Sequence, residues 1–84
     1  MYILDIPVKS VKFNPKFDEY TIEVAEPQVE QFKGILDGPL NNIKYREWHT
    51  PHLGHQFCIP AQEVSKYPAL QRDIHNAIQS SIAI

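Results

Sequence analysis

The residues able to do chemistry are concentrated in one stretch, Trp48-His-Thr-Pro-His-Leu-Gly-His-Gln-Phe-Cys58, which spaces His49, His52, His55 and Cys58 three residues apart and holds three of the chain's four histidines. Neutral imidazole and thiolate are the usual donors to zinc, and four of them can close a tetrahedral site. Alternation of apolar residues on either side of Thr50-Pro-His-Leu-Gly54 reads as a hairpin in which His49 faces His55, Trp48 faces Gln56 and Arg46 faces Cys58. Side chains alternate along a strand, so Cys58 points away from His49 and His55 and cannot join them on one metal or act with them as a nucleophile and base.

A set of three remains. His49 and His55 as a cross-strand pair, with His52 folding back from the loop tip, would leave one coordination position open, as catalytic zinc requires. Bending the tip over the ribbon costs conformational entropy, and the spacing matches no established zinc signature. No metal ligand is therefore assigned, and zinc on His49, His52 and His55 is carried as the alternative reading. Cys58, between Phe57 and Ile59, reads as a small buried hydrophobe. Asp73 and His75, two apart on a helix, point to different sides. No phosphate-binding glycine loop, HExxH or GxSxG pattern occurs, and the chain has only three glycines.

The same hairpin offers a binding surface. If Tyr45, Phe57 and Ile59 face the core, Arg46 and Trp48 face outward, with His52 and Leu53 at the tip. Tryptophan and arginine are the residues most enriched at interface hot spots, and Pro51 stiffens the loop beside them. The opposite expectation is that Trp48 covers a second small core. A different surface lies in the run from Asp18 to Asp37, which holds six acids (Asp18, Glu19, Glu23, Glu26, Glu30, Asp37) against the single Lys33. Glu23, Glu26 and Glu30 could dock a basic partner, although such a run usually forms a solvated strand edge and helix face.

Positioning these residues takes a small fold. Eighty-four residues, 43% of them hydrophobic, make one domain spanning 1–84 whose core is a single layer of sheet against a single layer of helix. Such a chain has little room for a substrate-enclosing cavity. Tyr2, Leu4, Ile6 and Val8 read as a first strand with Pro7 at a sheet edge, and the apolar phase shifts near Lys9-Ser10. Residues 11–13 and 20–24 form a hairpin that sets Val11 against Ile22 and Phe13 against Tyr20.

Glu26-Pro27 opens a helix with its stripe on Val29, Phe32, Ile35 and Leu36, and Asp37-Gly-Pro39 stops it. Strands at 43–48 and 55–59 follow. After Pro60 comes a short helical turn, and Pro68 begins a longer helix carrying Leu70, Ile74, Ala77 and Ile78 on one face. The expected fold is α+β, with a small antiparallel sheet of about five strands in the order β-β-β-α-β-β-α and two helices on one face.

A net charge of −2 argues against direct nucleic-acid binding, which favours a basic face. No apolar run approaches the ~20 residues needed to span a bilayer, and the N-terminus lacks the charged start of a signal peptide. The lone Cys58 fits a reducing, cytoplasmic compartment. Apolar Ile82 and Ile84 near the end, with an open strand edge, point to pairing with a second copy. Together these features favour a small non-catalytic protein-interaction module, an inhibitor, adaptor or regulatory protein of the kind phages and mobile elements encode, needing no cofactor and binding a protein partner. A metal-binding protein built on the histidine hairpin is the alternative.

Overall fold

The computed structural model describes residues 1–40, 43–51 and 54–82. It is an α+β fold with nine elements: β1 (Tyr2–Ile3), β2 (Ile6–Pro7), β3 (Ser10–Asn14), β4 (Glu19–Val24), α1 (Glu26–Asp37), β5 (Arg46–Thr50), β6 (Gly54–Pro60), α2 (Ala61–Val64) and α3 (Pro68–Ile82). The main sheet is antiparallel, four strands in the order β3-β4-β6-β5, and β1-β2 form a separate two-stranded ribbon. Among the described residues no helix is long and apolar enough to cross a membrane.

The registers follow from the period-two pattern. Val11 lies opposite Ile22 and Phe13 opposite Tyr20; β6 continues the rows, with Phe57 beside Ile22 and Ile59 beside Tyr20. One face of the sheet therefore carries Val11, Ile22, Val24, Phe57 and Ile59, all buried, and both long helices pack there. Helix α1 brings Val29, Phe32 and Leu36, with the Phe32 and Phe57 rings 4.9 Å apart. Helix α3 brings Leu70, Ile74 and Ala77 into the same cluster. Burying these side chains is what holds so small a domain together, each contributing about 1.5–3 kcal/mol against the entropy of ordering the chain.

The N-terminal segment corrects the expectation of one strand. Leu4 and Asp5 have φ of 51° and 67°, so the chain reverses there in a two-residue hairpin turn. The reversal pairs Ile3 with Ile6, and both are almost fully buried. In a straight strand these two, three apart, would point to opposite faces. The ribbon contacts α3 through β1 and α1 through β2, so it lies in the helical layer and adds no strand to the main sheet.

Short polar contacts fix the connections. The amides of Leu4 and Lys44 donate to Asp73 Oδ2 (2.9 Å) and Glu63 Oε1 (3.1 Å). The Tyr45 hydroxyl donates to Asp37 Oδ1 at 2.9 Å, tying the end of α1 to the approach to β5. Burial, and next the Asp37 carboxylate, push this phenol up to about 12.

Candidate interaction surface

The β5–β6 register is Arg46 opposite Cys58, Trp48 opposite Gln56 and His49 opposite His55. Following these pairs across the sheet gives two rows on the face away from the helices: Lys12, Thr21, Cys58, Arg46 and Ser10, Glu23, Gln56, Trp48. Trp48 on this face is 53% exposed. Its ring lies 5.9 Å from the Arg46 guanidinium carbon, within cation–π range. A nitrogen of the same guanidinium donates to both oxygens of Glu19 at 2.7 and 3.0 Å. Glu19 is buried, and Arg46 is anchored by it while remaining 56% exposed in its side chain. The anchor matters for recognition, because a long side chain already held in place loses less entropy when a partner covers it.

Cys58, deeper in the same face, has its Sγ 3.7 Å from Thr21 Oγ1. It is buried, and side-chain alternation places it on the opposite side of the ribbon from His49 and His55.

Those two histidines occupy the helix side of the ribbon. Nε2 of His49 donates to Glu26 Oε1 at 2.8 Å, tying β5 to the first turn of α1. Nε2 of His55 donates to Glu47 Oε2 at 2.9 Å, and Lys33 Nζ from α1 lies 3.3 Å from the other Glu47 oxygen. The rings are 5.8 Å apart. The geometry is a latch between helix and hairpin in which each imidazole is already committed to a different carboxylate. Among the described residues no group of three or more histidine, cysteine or acidic side chains is arranged to hold a metal ion. His52 and Leu53, and with them the loop-tip part of the surface and the third imidazole, lie outside the described residues, as does Ile84.

The acidic run does not form one surface. Glu23 is half-buried on the open sheet face next to Gln56. Glu26 serves His49 on the other side, and Glu30 is exposed one turn further along α1.

One feature was not expected. Phe13, Tyr20, His75, Ile78 and Gln79 line a cavity of about 240 Å³ between the β3–β4 hairpin and α3. Phe13 is 42% exposed and its ring sits 5.0 Å from that of Tyr20. The cross-strand pair is readable from the alternation, but the approach of the third wall, α3, is a tertiary event. Compared with family models, curated proteins and solved structures, the chain gives no significant match to any of the three.

Proposed function

We propose that this chain is a non-catalytic interaction module, an inhibitor, adaptor or regulatory protein, that binds a partner protein through the open face of its sheet around Trp48 and Arg46. The observation that carries the reading is the half-exposed tryptophan within cation–π distance of an arginine that Glu19 holds in place. Such a pair presents a large flat apolar area and fixed donors, the composition of interface hot spots. The surrounding Lys12, Glu23 and Gln56 supply a polar rim of mixed charge, which suits a protein surface better than a polyanion. The single buried Cys58 supports a reducing compartment for the protein.

The test is capture of the partner from the native cell, followed by titration of the purified pair. Trp48→Ala is expected to weaken binding by about 2 kcal/mol or more, roughly thirtyfold in Kd, with the fold retained. Unchanged affinity in a folded Trp48→Ala protein would overturn the reading and move the search to Glu26 and Glu30 on α1.

A further inference from the structure

We infer that β5 is a self-complementary edge at which two copies of this chain join their sheets, antiparallel and centred on Trp48. This concerns the strand's backbone and needs no second protein, so it stands or falls separately from the partner reading.

Among the described residues strand β5 is an edge strand, paired only with β6. Nothing among the described residues pairs with the outward half of its backbone donors and acceptors, which can therefore take another strand. The opposite edge, β3, is guarded. Lys9, Lys12 and Lys16 lie along it or beside it, and α3 packs against it. Lysines and covering helices are the usual protection of a sheet edge. Strand β5, Arg-Glu-Trp-His-Thr, contains neither lysine nor proline, and Arg46 to His49 are all exposed.

Its sequence selects both the partner and the register. A two-fold axis perpendicular to the sheet keeps each side chain on its own face, so the pairing must be centred on one residue. Centring on Arg46 or Glu47 sets like charges directly opposite, which is destabilising. Centring on His49 sets imidazole against imidazole and runs Glu47 against Pro51, which has no N–H to give. Centring on Trp48 opposes the two tryptophans on the open face, and on the helix face sets each Glu47 against His49 of the second copy. Glu47 already accepts from His55 and Lys33, and a carboxylate has lone pairs for a further donor. His49 uses Nε2–H for Glu26, and in the imidazolium form Nδ1–H, on the other side of the ring, is a second donor for the Glu47 carboxylate of the second copy. The two four-stranded sheets then become one of eight, with both Trp48–Arg46 pairs at its centre.

A five-residue edge buries less surface than a stable interface, so the association is weak and concentration-dependent. Sedimentation equilibrium of the tag-free chain from about 10 µM to about 1 mM should show the average mass rising toward twice the monomer. Cysteine crosslinking on a Cys58→Ala background then reads the register. Directly opposed Cα atoms in an antiparallel pair are about 4.5–5.5 Å apart, within disulfide reach. Trp48→Cys alone should crosslink to itself. Glu47→Cys and His49→Cys should each fail alone and, when mixed, give roughly tenfold more crosslinked dimer. Each variant is checked for native circular dichroism, and Trp48→Cys leaves the Glu26, Lys33 and His55 contacts untouched. A monomer mass across the whole range overturns the inference, as does a Glu47→Cys protein that crosslinks alone as readily as the mixture.

Discussion

The backbone amide of Leu4 donates to the carboxylate of Asp73 at 2.9 Å, joining positions 69 residues apart. Leu4 and Asp5 both sit at positive φ, where residues other than glycine, asparagine and aspartate are strained. An acceptor on α3 thus holds a turn that Leu4 disfavours. Hydrogen bonds to charged groups contribute about 1.5–3 kcal/mol. Asp73→Ala should therefore cost about 2 kcal/mol in urea unfolding, while Asp5→Gly, which puts glycine where such a turn favours it, should leave stability unchanged or slightly raised. Equal stability of Asp73→Ala and wild type would show that the turn holds itself.

Two glycines of one helix end should respond oppositely to alanine. Gly34 lies inside α1, exposed, and a Cβ built there meets nothing within 4 Å. Gly34→Ala should stabilise by about 0.5–1 kcal/mol, the difference in helix propensity. A Cβ on Gly38, just past the helix end, would stand 2.7 Å from the Gly34 carbonyl oxygen, the acceptor for the Gly38 amide. Gly38→Ala should therefore lower the melting temperature, and a rise would mean that the turn relaxes without cost.

How much of this could be read from the sequence depended on whether the partners were local. Alternation gave the pairing of Val11 with Ile22 and Phe13 with Tyr20, and the hairpin pattern gave His49 opposite His55 and Trp48 outward. The N-terminal reversal was hidden because leucine carries no turn signal and its support, Asp73, lies on the last helix. The Glu19–Arg46 ion pair on the open face and the Glu26–His49 contact behind it were hidden for the same reason: each joins residues more than twenty positions apart. The spacing of the histidines suggested one ion only as an alternative reading. The carboxylate partner of His49, Glu26, becomes visible only once α1 is laid across the sheet, whereas Glu47, the partner of His55, is a neighbour within the hairpin.

Glu63 gives the fold an acid-sensitive joint. The Lys66 ammonium at 2.9 Å, and next the Lys44 amide, hold its carboxyl below the ordinary glutamate value of 4.5. A group with a depressed folded-state pKa contributes stability that is complete above the unfolded value and is lost as pH falls through the folded one. The melting temperature of wild type should therefore exceed that of Glu63→Gln near neutrality, and the gap should narrow as pH falls below 4.5. A gap unchanged between neutral and acid pH would place the contribution in shape and not in charge.

Arg46 and Trp48 stand next to each other on the open face but should separate under mutation. Removing Arg46 strands the buried Glu19 carboxylate, whose two oxygens it serves, and leaving such a group unpaired costs about 1–3 kcal/mol. Removing the half-exposed Trp48 ring leaves no buried polar group unpaired and should cost about 1 kcal/mol, the upper range for a cross-strand pair. Arg46→Ala is thus expected to lower stability clearly, with Glu19→Gln in the same protein recovering part of the loss because the stranded charge is gone. Trp48→Ala should melt somewhat below wild type while losing partner affinity. Chemical denaturation of the four proteins (wild type, the two single variants and the Arg46→Ala/Glu19→Gln double variant) decides it. A Trp48→Ala protein less stable than Arg46→Ala would mean that the tryptophan covers core, and the open face would lose its claim as the binding surface.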